Sequence, residues 1–206
     1  MVAPDGEAIG VDAAEGMVRS ARADPAARGL PARYLRMDVA DLLFPDHVFD
    51  GAACGHGLHL VAEPLAALRE LRRVLQPGRL LAASVPATVD RHPVVAIVEA
   101  FLDREGGPIS EGRSTPIGGT DLKRLALAAG FRSASTRRVD GTTGFSGAPE
   151  LARAQLSWWS NAERLGSPGG RRLAELTSRL ASELEHDAGP PPYELPSAST
   201  VVVARS

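Results

Sequence analysis

Residues Met37–Val61 read MDVADLLFPDHVFDGAACGHGLHLV, and residues Ala67–Pro86 read ALRELRRVLQPGRLLAASVP. The first stretch leads into a short apolar run over Phe49–Cys54, which predicts a buried strand. The second has leucines at helical spacing up to a Pro-Gly pair, and then another apolar run, which predicts a helix followed by a strand. A helix between two short apolar strands is typical of a parallel sheet. These two stretches therefore indicate an α/β fold.

The same alternation extends in both directions along the chain. Ala8–Asp12 predicts a strand, Ala13–Ala23 has a helical stripe of apolar residues, and Arg33–Met37 predicts the next strand. Within the two quoted stretches the predicted helix is Leu65–Leu75 and the strand after it is Leu80–Val85. Later segments predict helices over His92–Arg104, Asp121–Ala129, Glu150–Leu165 and Arg171–His186, and strands over Arg132–Val139 and Thr200–Ala204.

The domain organisation predicted from this order is a single domain over residues 1–206. Residues 146–198 interrupt it as a helical insertion between the last two strands. Residues 106–119 form a polar stretch rich in glycine, proline and serine, which follows the predicted helix His92–Arg104.

Composition excludes several classes of function. The chain has 206 residues with 44% hydrophobic and 23% charged residues, which is typical of a globular protein. The net charge of −2 gives no general attraction to nucleic acid or to an anionic membrane. We find no secretion signal and no apolar run of about 20 residues that a membrane helix needs, so we expect a cytoplasmic protein. The single cysteine, Cys54, excludes an internal disulfide.

Two acids stand at the ends of predicted strands. Asp12 ends the first strand, where a carboxylate in a nucleotide-binding fold can accept hydrogen bonds from a ribose diol. Met17 follows at a spacing that suits packing on an adenine face. The alternative is that Asp12 caps the next helix and Met17 lies in the core. Asp38 follows the second strand and can accept a hydrogen bond from an exocyclic amine, or it is a solvated loop acid.

These segments together resemble class I methyltransferases that depend on S-adenosylmethionine (SAM), in particular the ubiquinone- and menaquinone-biosynthesis branch. The segment GVDAAEGM (Gly10–Met17) resembles the family's Gly-x-Asp-x-Ser-x-x-Met pattern, with Ala14 in place of the serine. The stretch from Met37 resembles its acid and Leu-Pro-Phe-like turn before strand four. RVLQPGR resembles its Arg-Val-Leu-x-Pro-Gly-Gly motif, with Arg79 in place of the second glycine.

The resemblance implies a Rossmann-like sheet with an antiparallel last strand and a SAM site. It places Asp12 on the ribose, Asp38 and the backbone of Val39 on the adenine, and Ala13 and Met17 beside them. The strand before Leu58-His59 ends at Cys54 and Gly55. By the same resemblance, the backbone of these two residues faces the methionine part of SAM.

One departure from the family pattern is large. The family's first strand and its Gly-x-Gly-x-Gly loop should precede Asp12 by roughly 20 residues, but 11 residues precede it here. We therefore expect a chain that begins after the first strand and helix of the fold, and weak or no SAM binding by it. Gly55-His56-Gly57 comes nearest to such a loop but lacks the third glycine.

The expected reaction is SAM-dependent methyl transfer to a small-molecule acceptor, which lies under helices from residues 91–119 and 146–190. His59 is the candidate general base, with a structural role as the alternative. Trp158 and Trp159 are candidates to line the acceptor pocket, with one of them in the core as the alternative. No metal-ligand pattern occurs.

Two other functions stay open from the sequence. The chain could be a non-catalytic methyltransferase relic that acts as a partner or oligomer subunit, for example a homodimer. It could also be a nicotinamide-dependent oxidoreductase, because Asp12 suits a dinucleotide ribose equally well. The absence of a Tyr-x-x-x-Lys pair argues against the oxidoreductase.

Overall fold

The computed structural model of the chain describes residues 6–24, 31–87, 92–106 and 119–206. Strands and helices alternate over the first part, and helices predominate later. In chain order the elements are β1 (Ala8–Asp12), α1 (Glu15–Ala23), β2 (Ala32–Arg36), β3 (Phe49–Gly55), α2 (Pro64–Val74), β4 (Leu75–Pro86), α3 (Pro93–Glu105), α4 (Gly119–Ala128), β5 (Ser133–Phe145), α5 (Ala148–Ser157), α6 (Trp159–Arg164), α7 (Gly170–Asp187) and β6 (Tyr193–Arg205).

The described strands form two separate sheets. β1 and β2 pair in parallel, with Ala8 opposite Ala32 and Asp12 opposite Arg36. The second sheet has the order β3-β4-β6-β5, and its β3 and β4 are parallel, with Gly55 opposite Ser84. The parallel pairs are each joined by a helix, α1 or α2, as a parallel connection requires.

The last strand runs antiparallel to its neighbours. The amide of Ser206 donates to the carbonyl of Arg79, whereas the amide of Ala87 donates to the carbonyl of Ala198, so β6 and β4 run in opposite directions. At the other side of β6, the amide of Arg132 donates to the carbonyl of Arg205. The predicted α/β class with an antiparallel last strand is confirmed.

The chain divides into two compact units. Unit 1 comprises Met1–Pro86, Pro116–Arg137 and Thr200–Ser206, and unit 2 comprises Ala87–Thr115 and Arg138–Ser199. The expected helical insertion over residues 146–198 lies within unit 2. Its description as part of one domain stays a prediction.

Each unit has its own apolar cluster. In unit 1 the inner face of α2 packs with β4, through fully buried Leu68, Leu75 and Leu81. In unit 2, α3, α5 and α7 pack together, and Phe101 and Leu180 are completely buried there. Both clusters consist mainly of leucine, valine and alanine, as the low aromatic content predicts.

Four predicted elements differ from the structure by more than two residues. The strand after α2 begins at Leu75 rather than Leu80, because Gly78 adopts a φ of +79° and its amide donates to the carbonyl of Ser206, which keeps the chain in the sheet through the Pro-Gly pair. The predicted helix Glu150–Leu165 is interrupted at Trp158, whose ψ of 131° is extended. Strands β5 and β6 are each 13 residues long, much longer than predicted.

Candidate cofactor site

Asp12 lies exposed at the carboxyl end of β1, and its carboxylate shapes the turn that follows. Its Oδ1 accepts a hydrogen bond of 2.8 Å from the amide of Ala14, the residue that precedes α1. No side chain caps α1 at that position, so Asp12 supports the turn without capping the helix itself. The carboxylate therefore remains at the surface, at the end of a parallel strand where ligands bind in such folds.

The end of β2 is held against the end of β1. The amide of Met37 donates to the carbonyl of Asp12 over 3.1 Å, and Arg36 Nε donates to the carbonyl of Ala13 over 3.1 Å. These contacts bring the Asp12 and Asp38 segments to neighbouring strand ends, as the sequence predicts.

Asp38 also lies exposed, in a tight turn of its own. Its Oδ1 accepts from the amide of Ala40 over 2.9 Å, and its carbonyl accepts from the amide of Asp41 over 3.0 Å. Val39 is half-buried and packs against the cluster of unit 1. The turn thus anchors one side chain in the core and directs the neighbouring carboxylate to the surface.

Met17 lies in the first turn of α1 and is 59% exposed. The interpretation of Met17 as a core residue is therefore wrong. An exposed thioether this close to Asp12 is free to pack against a flat apolar group.

The carboxyl end of β3 carries the other predicted site residues, Cys54 and Gly55. Cys54 is half-buried there, and burial raises the pKa of its thiol even though the amides of Gly57 and Leu58 donate to the sulfur. A Cβ at Gly57 would stand 2.9 Å from Cys54 Sγ, which explains a glycine there, whereas Gly55 faces open space. The amide of His56 donates to the carbonyl of Ser84 over 3.0 Å, which ties this loop to β4.

His59 is half-buried in the same loop. Its pKa lies below its ordinary value because burial disfavours the charged ring, and electrostatic interaction with His56 adds to that effect. The two rings are 6.1 Å apart in an edge-to-face arrangement. Within the part of the chain that the structure describes, the buried Nδ1 of His59 has no hydrogen-bond partner. A neutral imidazole with a free ring nitrogen can accept a proton.

An ion pair that the sequence did not indicate holds the loop between Asp38 and β3. Arg73 bonds to Glu70 and to Asp46, each over 2.7 Å, and to the carbonyls of Leu42 and Phe44 over 2.8 Å each. With these contacts, the side chain of Arg73 is only 30% exposed. Only tertiary contacts could reveal this role.

Other parts of the described chain contribute nothing to this site. No group of three or more metal-ligating side chains occurs among the described residues, and no described helix has the length and apolar character to cross a membrane.

A shallow depression of about 430 Å³ between α5 and α7 contains none of the predicted site residues. Trp158 is 54% exposed, so it is not a core residue. Residues 107–118, part of the expected acceptor cover, lie outside the described residues.

Residues 2–83, which carry both strand-end acids and the β3 loop, match the model of a methyltransferase domain. The resemblance drawn from the sequence to SAM-dependent methyltransferases is therefore confirmed. The match covers this segment, which is less than half of the chain.

Several curated proteins similar to this chain are named as quinone methyltransferases. The demethylmenaquinone methyltransferase of Thermus thermophilus is 42% identical over 85 residues, which cover 41% of this chain and 39% of that protein. The 2-phytyl-1,4-naphtoquinone methyltransferase of Synechococcus elongatus is 32% identical over 154 residues, covering 65% of this chain and 64% of that protein. The chain thus spans less than two thirds of the length of either relative.

Solved structures share the fold of this chain. The YcgJ protein of Bacillus subtilis has a TM-score of 0.55 at 19% identity, over 97% of this chain and 82% of that one. The [4+2]-cyclase SpnF has a TM-score of 0.53 at 20% identity, over 98% of this chain and 68% of that one. Because a cyclase shares the fold, the fold alone does not determine the reaction.

Proposed function

We propose that this chain provides the nucleoside-binding part of a SAM-dependent methyltransferase whose acceptor is a quinone-type small molecule. The observation that supports this most is the pair of exposed carboxylates, Asp12 and Asp38, at neighbouring strand ends within the segment that matches the methyltransferase model. The acceptor class rests on the quinone substrates in the names of the curated relatives.

The residues present fit the nucleoside half of SAM. The free lone pairs of Asp12 suit a ribose, because a carboxylate can accept hydrogen bonds from both ribose hydroxyls at once. Asp38 suits the exocyclic amine of adenine, and we propose that the Val39 amide donates to a ring nitrogen. We further propose that Ala13 and Met17, whose thioether is exposed, flank the base.

The methionine half fits less well. The sequence contains no Gly-x-Gly-x-Gly segment, so among these residues only the backbone of Cys54 and Gly55 is proposed to face the methionine part. When bound, SAM supplies an electrophilic methyl group on its sulfonium. Positioning accounts for much of the rate in such transfers, and we propose that neutral His59 accepts the proton that an acceptor hydroxyl releases.

Calorimetric titration tests the nucleoside site. We expect adenosine to bind with a dissociation constant near 1 mM, which is about 4 kcal/mol of binding free energy, and SAM to bind no more than a few times more tightly. Asp12→Asn and Asp38→Asn should each weaken binding about tenfold, because each loses a charge-assisted hydrogen bond. Asparagine retains the oxygen that accepts from Ala14 or Ala40, so the turns are preserved.

Asp187→Asn on α7 is the matched control, and it should leave adenosine binding unchanged. Binding of NADH without binding of adenosine or SAM would contradict the proposal. Micromolar SAM affinity would contradict the incomplete methionine half.

A further inference from the structure

The turn that carries Asp38 is held at both of its ends. At its start, the amide of Met37 donates to the carbonyl of Asp12 over 3.1 Å. At its end, the amide of Asp41 donates to the carbonyl of Asp38 over 3.0 Å. The next residue, Leu42, is 5% exposed and belongs to the unit 1 cluster. The position of the Asp38 carboxylate therefore depends on how firmly Leu42 is held.

An ion pair on α2 fixes the backbone of Leu42. Its amide donates to Oε2 of Glu70 over 2.9 Å, and its carbonyl accepts from Nη2 of Arg73 over 2.8 Å. Glu70 and Arg73 are also joined to each other by two hydrogen bonds of 2.7 Å each. A bidentate pair of this kind fixes the orientation of both side chains. Both backbone groups of one loop residue are thus bonded to the two partners of a single, rigid ion pair.

The guanidinium of Arg73 uses all of its donors in these contacts. Its Nη1 donates to the carbonyl of Phe44 over 2.8 Å and to the carboxylate of Asp46 over 2.7 Å. A guanidinium has five N–H groups, and the bonds to Glu70, Leu42, Phe44 and Asp46 occupy all five. Arg73 therefore acts on the loop and not on a bound molecule. Lysine has three donors and no planar fork, so it cannot replace these contacts.

We propose that Arg73, oriented by Glu70, is a positioning residue that directs the Asp38 carboxylate toward the exocyclic amine of adenine. Arg73 acts through the backbone of Leu42 and of the turn before it, and it does not touch the nucleoside. This role rests on the proposed function, because the position of Asp38 affects binding only if Asp38 contacts adenine. Apolar packing of Leu42 alone would keep the fold but would leave the carboxylate free to take several positions.

Arg72, the preceding residue on α2, provides a matched control. Its Nε donates to the carbonyl of Gly130 over 2.7 Å, in the turn after α4. Arg72→Met therefore removes an arginine–carbonyl contact of the same helix without changing the loop that follows Asp38. This variant should lose stability but should bind adenosine as the unmodified chain does.

Titration with adenosine, followed by amide chemical shifts, tests the role of Arg73. We expect Arg73→Met to raise the dissociation constant about fivefold to tenfold, because the hydrogen bond between adenine and a misplaced carboxylate is largely lost. The double variant with Asp38→Asn should bind within about twofold of Asp38→Asn alone, since residues that act as one unit are not additive. A merely structural role of Arg73 predicts that the two losses multiply. Multiplied losses, or unchanged affinity in Arg73→Met, would overturn the proposal.

Amide hydrogen exchange without ligand is the second readout. In Arg73→Met, the amides of Ala40 and Asp41 should exchange at least about fivefold faster, because local opening of their turn is no longer resisted at Leu42. The amide of Ala14, in the turn after β1, should exchange as before. Equal acceleration at all three amides would indicate a general loss of stability and would refute a positioning role. If circular dichroism shows that Arg73→Met does not fold, Arg73→Lys takes its place, with the same two effects expected and the same contradicting results.

These measurements also separate the role of Arg73 from the proposed function. If the unmodified chain does not bind adenosine, the proposed function and the positioning role both fail. If the unmodified chain binds adenosine and Arg73→Met binds it equally well, only the positioning role fails.

Discussion

At the scale of single residues, the site depends on how the turns after β1, β2 and β3 direct polar groups. Asp12 and Asp38 each use one oxygen to support a backbone amide, and the rest of the carboxylate stays at the surface. The sequence predicted both acids, because each ends a recognisable strand. It could not predict Arg73, since its partners in the loop are 27 to 31 residues away along the chain.

His59 provides a prediction about protonation. We expect NMR titration of its ring to give a midpoint below the ordinary value of about 6.5, because burial and His56 both disfavour the cation. Unfolding frees the ring, so its contribution to stability is complete above pH 6.5 and declines as the pH falls below it. His56→Ala should raise the midpoint only partly, since burial remains. A midpoint at or above 6.5 in the unmodified chain would be inconsistent with this environment.

Glu70 provides a second pH-dependent prediction. Its pKa lies below the ordinary value, first because of its hydrogen bond with Arg73 and also through the amide of Leu42. Because the pKa of Glu70 is lower in the folded than in the unfolded chain, its carboxylate stabilises the fold at pH values above the unfolded pKa of about 4.5. This stabilisation is lost as the pH falls through the folded pKa. Glu70→Gln should lower the free energy of unfolding by about 1 to 3 kcal/mol at pH 7, and by clearly less at pH 4. Urea unfolding at both pH values measures this, and an equal loss at both would refute the explanation.

At the scale of elements, the periodicity of apolar residues predicted those helices and strands that bury one face. β1 has the predicted bounds, and α1, α2 and α7 differ by one or two residues. The length of β5 was underestimated because nearly all of its residues are exposed, so its sequence does not alternate between apolar and polar residues. Its length comes from pairing with β6, and β4 begins early because of contacts with Ser206. Such contacts between distant segments leave no local pattern.

The inner face of α2 provides a prediction about stability. Leu68 is completely buried in the unit 1 cluster, so Leu68→Ala should lower the free energy of unfolding by about 2 to 5 kcal/mol through lost burial and a residual cavity. Leu127→Ala is the control, because Leu127 is 44% exposed on α4, and it should cost less than about 1 kcal/mol. Urea unfolding followed by circular dichroism measures both. Similar losses for the two variants would contradict the packing of α2.

At the scale of the whole molecule, the motif order along the chain predicted the family and the fold class, because three segments occur in the family's order and at its intervals. The described strands lie in two sheets, and the sequence contains no Gly-x-Gly-x-Gly segment. The acceptor could not be predicted from the sequence, since the helices of unit 2 have no motif of their own.

Nucleoside binding at the strand ends of unit 1 can be observed residue by residue. The measurement is amide chemical-shift mapping of the isotopically labelled chain during titration with adenosine. We expect shifts confined to Asp12–Met17 and to the turn at Asp38 and Val39, and we expect Asp12→Asn to move the midpoint of the titration to about tenfold higher adenosine. Shifts located on α5 and α7, or none at about 10 mM adenosine, roughly ten times the expected dissociation constant, would contradict a nucleoside site.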